Sequence, residues 1–435
     1  MSTVPLWRHA REREARAGGL PVDRDVERSL AGLKWLNGLV AAMQVGFGPF
    51  LALYLTAQLW DAGKIGLALS LGTAMAMAAQ VPAGALVDLM HSKPLAAGSA
   101  IVGIVAAAWL IAAAPVPPTV IAALGIQAIA SGVLTPAIAA ITLALSRHKE
   151  LGERLGKNVR YAAIGSALSA ACMGPIGYWF SPRATLLAAG AFGVAALFAM
   201  RAIHPGDLAS APSRTEHAAV APPGEAGPPC RFRDVCLNRR LLICAACIAL
   251  FQLGNAAVMP LAVTTVTRAN GRLADLVIPA AVIVPQALTA LLSPWFGRKT
   301  ESWGRRPVAL VGLAALPIRI LLFAVNDDPY LMVLYQALDG ISASVIGVML
   351  PLIVADLTHE GGRFNFGMGF VGLISGLGAT LSTALGGAIA ARFGVATAFA
   401  ALAVAGFAAV ALAWWEMPDT APTTQPPLTP QRTMA

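Results

Sequence analysis

Charge is what this sequence has least of. Only 12% of its 435 residues are charged, 57% are hydrophobic, and the mean hydropathy is +0.69. A soluble domain carries about 25% charge, so most of this chain cannot face water. Histidine is almost as scarce: there are six, all outside the long apolar runs described below, which excludes a buried histidine relay. Five cysteines are too few for a disulfide framework. Cys244 and Cys247 form a C-x-x-C, but they sit in an apolar run with no nearby His and read as small helix residues, so neither metal nor disulfide is expected. There is no G-x-x-x-x-G-K-[ST] loop and no soluble stretch long enough to hydrolyse ATP. No cofactor is therefore expected, and work must come from a gradient. An intramembrane nucleophile or His/Asp constellation is missing too, which argues against an enzyme.

What is present is a series of apolar runs. Crossing a bilayer takes about 20 residues in a helix, since lipid offers no partner for backbone polar groups. Twelve runs qualify, near 35–58, 65–89, 94–114, 119–145, 161–180, 184–203, 241–267, 274–296, 307–325, 329–355, 366–391 and 394–415. They are called spans 1 to 12 below. The first 34 residues are polar and charged, so a cleavable signal is not expected and span 1 serves as its own insertion signal.

If both termini lie on one side, that side receives 25 of the 31 Lys and Arg, counting Arg201 at the end of span 6, five fall on the other, and only Arg319 lies deep within a span. This excess predicts cytoplasmic termini in an inner (plasma) membrane, and it gives the net charge of +9 a topological use rather than a nucleic-acid one. The expected organisation is a tail (1–34), a six-helix bundle (35–203), a Pro/Ala/Gly-rich cytoplasmic linker (204–240), a second six-helix bundle (241–416) and a disordered tail (417–435). The fold class is an all-α membrane protein of two pseudo-symmetric bundles, in contact with lipid.

The halves repeat. "GALVDLMHSKP" after span 2 has the length and place of "GRKTESWGRRP" after span 8, matching Gly84 with Gly297, Asp88 with Glu301, Lys93 with Arg306 and Pro94 with Pro307. "MQVG" in span 1 matches "FQLG" in span 7, and Gly132 in span 4 matches Gly340 in span 10. Glu153 precedes Arg160 by seven residues, as Asp356 precedes Arg363. Repeats of this kind are common in transporters.

On these motifs residues 35 to 416 resemble the major facilitator superfamily. Its signature after helices 2 and 8 is Gly, three residues, Asp, basic, any, Gly, basic, basic. Here Gly297, Gly304, Arg305 and Arg306 keep the pattern with Glu301 for Asp, while the first copy keeps Gly84, Asp88 and Lys93. The resemblance implies a latch between halves that part during transport, with Asp88 at the start of span 11 and Glu301 at the start of span 5, where Arg160 waits; Arg363 is the matching arginine of the second half. A carboxylate facing a helix N-terminus gives such a latch a physical basis. The bland reading is that the basic residues merely obey the positive-inside bias.

The resemblance also places a polar site on spans 1, 4, 7 and 10. The candidates there are Gln44, Tyr54, Gln127, Gln252, Asn255, Gln336 and Asp339; the pairs 252/255 and 336/339 each share a helix face. Amides can equally be interhelical glue. Asp339, the carboxylate deep in a span, reads first as a proton or substrate site, with a structural pair to Arg319 or neither role as the alternatives; the Arg319 head could instead snorkel outward because the family places span 9 at the periphery. "GPIGY" in span 5 keeps part of the exporter signature, and Gly174 and Pro175 are expected to kink span 5 and pack closely. In span 11, Gly386 and Gly387 also read as close-packing positions. The family's antiporter arginine in helix 4 is absent, with Gln127 and Ala128 in its place.

The leading expectation is a secondary transporter exporting a small organic compound, with proton exchange open, working as a monomer. Uptake of a metabolite by a proton symporter or facilitator is the alternative, and a membrane sensor or enzyme is the outsider.

Overall fold

The computed structural model describes residues 27–203 and 237–417, apart from Gly48, Asp61, His91, 147–149, Asn270, Asp327 and 359–362. Residues 1–26, most of the linker with Cys230 and Cys236, and the C-terminal tail after Met417 lie outside the described residues, whereas 27–34, expected in the N-terminal tail, form the start of the first helix. Every regular element among the described residues is helical, and the helices fall on the twelve expected spans. Ten are long and apolar enough to cross a membrane by length and composition. The other two are span 1, which is broken, and span 5, whose first third is polar.

Proline-capped starts define several helices. Ser92, Ser181 and Asp328 each turn a side-chain oxygen onto an amide of the first helical turn, with Pro94, Pro182 and Pro329 in that turn. Such caps satisfy amides that a helix leaves open and use a residue that has none to lose. Asn238 caps span 7 in the same way, through the amides of Arg240 and Leu241.

Three spans are interrupted. Span 1 runs over 27–45 and Pro49–Ala57, span 7 over Arg239–Asn255 and Val258–Ala269, and span 10 over Pro329–Tyr335 and Ala337–Thr358. Pro49 and Pro260 lack the amide that would bridge their breaks. At the second break Ser382 of span 11 accepts the freed Ala257 amide at 3.0 Å.

The remaining spans are single helices: Ala62–Leu89, Lys93–Ala113, Pro117–Leu145, Leu151–Trp179, Pro182–Met200, Gly271–Ser302, Arg305–Val325, Phe364–Phe393 and Val395–Glu416. Two differ from the expected runs in a way that matters. Span 5 begins ten residues early, at Leu151, its polar first turns supported by the pairs Glu150–Arg154 (3.2 Å) and Glu153–Lys157 (2.7 Å). Span 8 continues through Ser302, so most of the repeated "loop" is the last two turns of a helix.

Large buried clusters form within each half. One gathers Leu33, Leu36, Met43, Ile101, Ile104, Leu134 and Ile141; another gathers Phe251, Phe296, Leu313, Phe323, Met349 and Phe399. A smaller one joins the halves through Leu151 and Leu155 of span 5 and Val348 and Leu352 of span 10.

Contacts between halves concentrate on the side that carries the termini. Span 5 meets span 8 with no room for a side chain: a Cβ on Gly156 would lie 2.8 Å from Pro294 Cα, and one on Gly152 or Gly297 would collide with the other's carbonyl. Span 11 meets span 2 in the same manner, Gly369 against the Gln80 carbonyl and Gly84 against that of Asn365. Towards the opposite side these contacts stop. Gly174 and Gly387 have nothing within 4 Å, so the close packing expected at Gly174, Pro175 and Gly387 is not found, whereas Gly386 packs on Ala257 of its own half. The two halves are closed at the terminal side and splayed at the other.

In a chain with no other cysteines, Val159→Cys and Gly347→Cys, which face each other across spans 5 and 10, are expected to cross-link readily. Adding Gly156→Ala forces the backbones apart at a cost of about 1–3 kcal/mol, and the cross-linked fraction should fall to a minority of the parent's, read on a denaturing gel.

Candidate functional site

The picked amides collect at the helix breaks. Gln44 lies just before the break in span 1, Gln252 and Asn255 just before that in span 7, and Gln336 forms the one in span 10. Gln127 differs, lying in unbroken span 4 with its amide given to Ser131 at 3.1 Å on the same helix.

Arg319 draws three of these groups together. It is 3% exposed, and its guanidinium pairs with Asp339, donates to Gln336 Oε1 at 3.1 Å, and donates to Asn255 Oδ1. Gln336 in turn donates to the Met259 thioether. The outward snorkel open to Arg319 is thus not adopted: a cation on span 9 reaches inward and ties together spans 7, 9 and 10. Burying a lone charge is very costly, and pairing with satisfied hydrogen bonds offsets that cost. Asp339 stays 31% exposed at its side chain, so one end of the pair faces open space. The Arg319 Nε has no partner. A proton on Asp339 would remove the charge that holds Arg319, and a polar cargo could compete for the same donors.

Tyr54 is elsewhere. It is 1% exposed and its hydroxyl donates to the carbonyls of Ala112 (3.2 Å) and Ile111 (3.4 Å), which fastens span 1 to span 3 within the first half and corrects its assignment to the polar site.

The signature residues divide into two groups. Asp88 crosses between halves, accepting from the Asn365 amide (3.1 Å), the Asn365 side chain (2.6 Å) and the Phe366 amide (2.8 Å) at the start of span 11. Its carboxylate faces the positive end of that helix. Gly84 and Gly297 supply the backbone approach. Glu301 stands near the backbone of Gly152 at the start of span 5. Arg160 is not its partner: it reaches deeper and donates to the Ala290 carbonyl of span 8 at 2.7 Å, which also crosses between halves.

The other residues act inside their own half. Lys93 donates to the Met90 carbonyl at 2.9 Å and closes the end of span 2. Arg305 is 1% exposed and pairs with Asp356 of span 10 at 3.3 Å. Arg306 lies 5.9 Å from the Trp414 ring, Gly304 makes a turn at φ +93°, and Arg363 stands at the N-cap position of span 11 without a side-chain capping bond. As cross-half latches, Lys93, Gly304, Arg305 and Arg306 are therefore corrected to supports of single-half turns. Cys244 and Cys247 are buried in the second-half core. Sequence reading missed Gly152, Gly156, Gln80 and Ser293, whose hydroxyl donates to the Gly156 carbonyl at 2.9 Å. The four-residue spacing of Gly152 and Gly156 was a usable signal.

A family model described as the Major Facilitator Superfamily matches residues 33–270 and 241–433. Uncharacterized MFS-type transporters from two strains of Mycobacterium tuberculosis are 33% identical over 363 residues, 80% of this chain and 84% of theirs. The tetracycline resistance protein, class B, of Escherichia coli is 30% identical over 91 residues, 21% of this chain and 22% of that protein. Among solved structures, the proton:xylose symporter XylE bound to 6-bromo-6-deoxy-D-glucose aligns with a TM-score of 0.67 at 12% identity, over 92% of this chain and 96% of that one. The human organic anion transporter MFSD10 aligns with 0.62 at 14%, over 90% and 99%. At such identities these two report the fold.

Tyr54→Phe should lower the thermal stability of the purified protein by about 1 kcal/mol, the net worth of a hydrogen bond, and leave transport unchanged. Asp88→Ala strips acceptors from two helix-terminal amides. A cysteine at Ser293, buried between the halves, should then react with an impermeant maleimide from the terminal side about tenfold faster, as about 1.4 kcal/mol would produce.

Proposed function

The chain belongs to the major facilitator superfamily, and from that premise we propose that this multi-pass membrane transporter is a secondary active exporter of a small organic compound, moved by alternating access in exchange for protons. The observation that carries the reading is the Arg319–Asp339 pair, buried at one end and open at the other, at the break of span 10 and within reach of span 7. Protonation of Asp339 frees Arg319 to its neutral partners Asn255 and Gln336; deprotonation restores the pair. Gln252, Gln44 and Gln127 are proposed to line the cargo path with it. A site whose fixed charges cancel suits a neutral or amphipathic cargo. Export, rather than uptake, is supported by the partial exporter signature at Gly174 and Pro175 and by the stretch resembling a tetracycline resistance protein.

Asp88, Glu301 and Arg160, with Gly84 and Gly297, are proposed to hold the terminal side shut and to release as the halves rock. The lysine and arginine excess supports assigning that side to the cytoplasm of an inner membrane. One chain holds both halves, which favours a working monomer divided at the 204–240 linker.

Cells lacking the protein are compared with cells making wild type, Asp339→Asn or Arg319→Gln at equal expression, by untargeted mass spectrometry of cytosol and medium. A compound should leave the cytosol with wild type only, with efflux falling by at least about tenfold in each variant if one charge of a semi-buried pair is left alone. Accumulation inside with wild type would sink export in favour of uptake. Equal efflux by Asp339→Asn would remove Asp339 from the mechanism.

A further inference from the structure

The repeated motif after span 8 carries more basic residues than the contact between halves uses. Arg305 turns inward to Asp356, and Arg298 lies near enough to Glu153 to act on its charge. Lys299 and Arg306 remain, and among the described residues neither has an acidic partner. Gly304, with φ +93°, makes the turn into span 9, and the helix it opens points Arg305 and Arg306 about 100° apart.

Lys299 lies between two tryptophans on a common face. Trp295, Lys299 and Trp303 are spaced four apart; the ammonium is 5.8 Å from the Trp295 ring and 4.8 Å from the Trp303 ring, and the two indoles meet edge to face at 5.6 Å. This face points away from span 5, which is met by Ser293, Gly297 and Thr300. One turn deeper in the membrane Leu291 continues the stripe, 68% exposed. Across the turn Arg306 lies against Trp414, which is 58% exposed. Among the described residues neither indole N–H has a hydrogen-bond acceptor.

We propose that this face, Leu291, Trp295, Lys299 and Trp303 with Arg306, binds the headgroup of an anionic phospholipid in the leaflet on the terminal side. The chemistry is complementary along its length. Two indole donors, an ammonium and a guanidinium offer hydrogens and positive charge with no acceptor among them, which is what a phosphodiester with its unshared oxygens needs. Aromatic rings at this depth lie at the boundary of headgroup and hydrocarbon, and Leu291 meets the acyl chain. A free phosphate would have no use for that apolar extension.

Native mass spectrometry of the purified full chain, titrated with phosphatidylglycerol or phosphatidylcholine, reads the site directly. Phosphatidylglycerol should be retained preferentially, and the preference should fall about fivefold for each charge removed by Lys299→Gln and Arg306→Gln. Lys299→Gln alone breaks no hydrogen bond and is read by itself if the double variant is not monodisperse. Arg201→Gln, at the terminal-side end of span 6, should leave the preference intact. Equal retention of the two lipids, an equal loss with Arg201→Gln, or full displacement of phosphatidylglycerol by millimolar inorganic phosphate would each overturn the proposal.

Discussion

Two pairs of helices touching backbone to backbone set the terms for the rest of this molecule. Spans 5 and 8, and spans 2 and 11, come so close that Gly156, Gly152, Gly297, Gly84 and Gly369 have no space for even a methyl group. That approach brings a helix-end carboxylate within reach of the next helix's first amides, as Asp88 shows with Asn365 and Phe366. Few large side chains interlock there, so dispersion is spread over many small contacts rather than locked by a few deep ones. A contact of this sort can be tight and still come apart without unpacking a core, while the large apolar clusters stay within each half.

The polar interior works on a different scale. Gln44, Gln252, Asn255 and Gln336 stand where helices are interrupted, so freed backbone groups and side-chain amides share one region instead of being scattered through lipid-facing surface. Arg319 organises that region from a span at the side. By engaging Asn255, Gln336 and Asp339 it joins three helices of the second half, whereas the first half brings no charge to the corresponding place. The repeat is therefore architectural, and its two copies differ in electrostatics.

Much of the architecture was legible because lipid leaves few alternatives: twelve apolar runs, the charge bias and the matching glycines already implied two bundles. Asp88 could be read as well, since an acidic residue at a helix end in a basic zone needs a partner. What the chain did not reveal was direction. Arg305 and Arg306 are neighbours of like chemistry, yet one is buried against Asp356 and the other rests on Trp414, because both open the span 9 helix, where successive residues point about 100° apart. Arg160 was matched with Glu301 by position, but its long side chain reaches a carbonyl deeper along span 8. Tyr54 looked like a polar residue available to cargo because nothing in its neighbourhood announces that its hydroxyl ends on the last carbonyls of span 3.

The attachment of Arg319 also bears on how such a chain can change over generations. A substitution that discards either Arg319 or Asp339 strands the other in a poorly solvated place, while exchanging both for apolar residues of similar volume need cost little. Drift at these positions is thus confined to joint replacement, and a span packed mainly against its own half inherits the constraint of the centre.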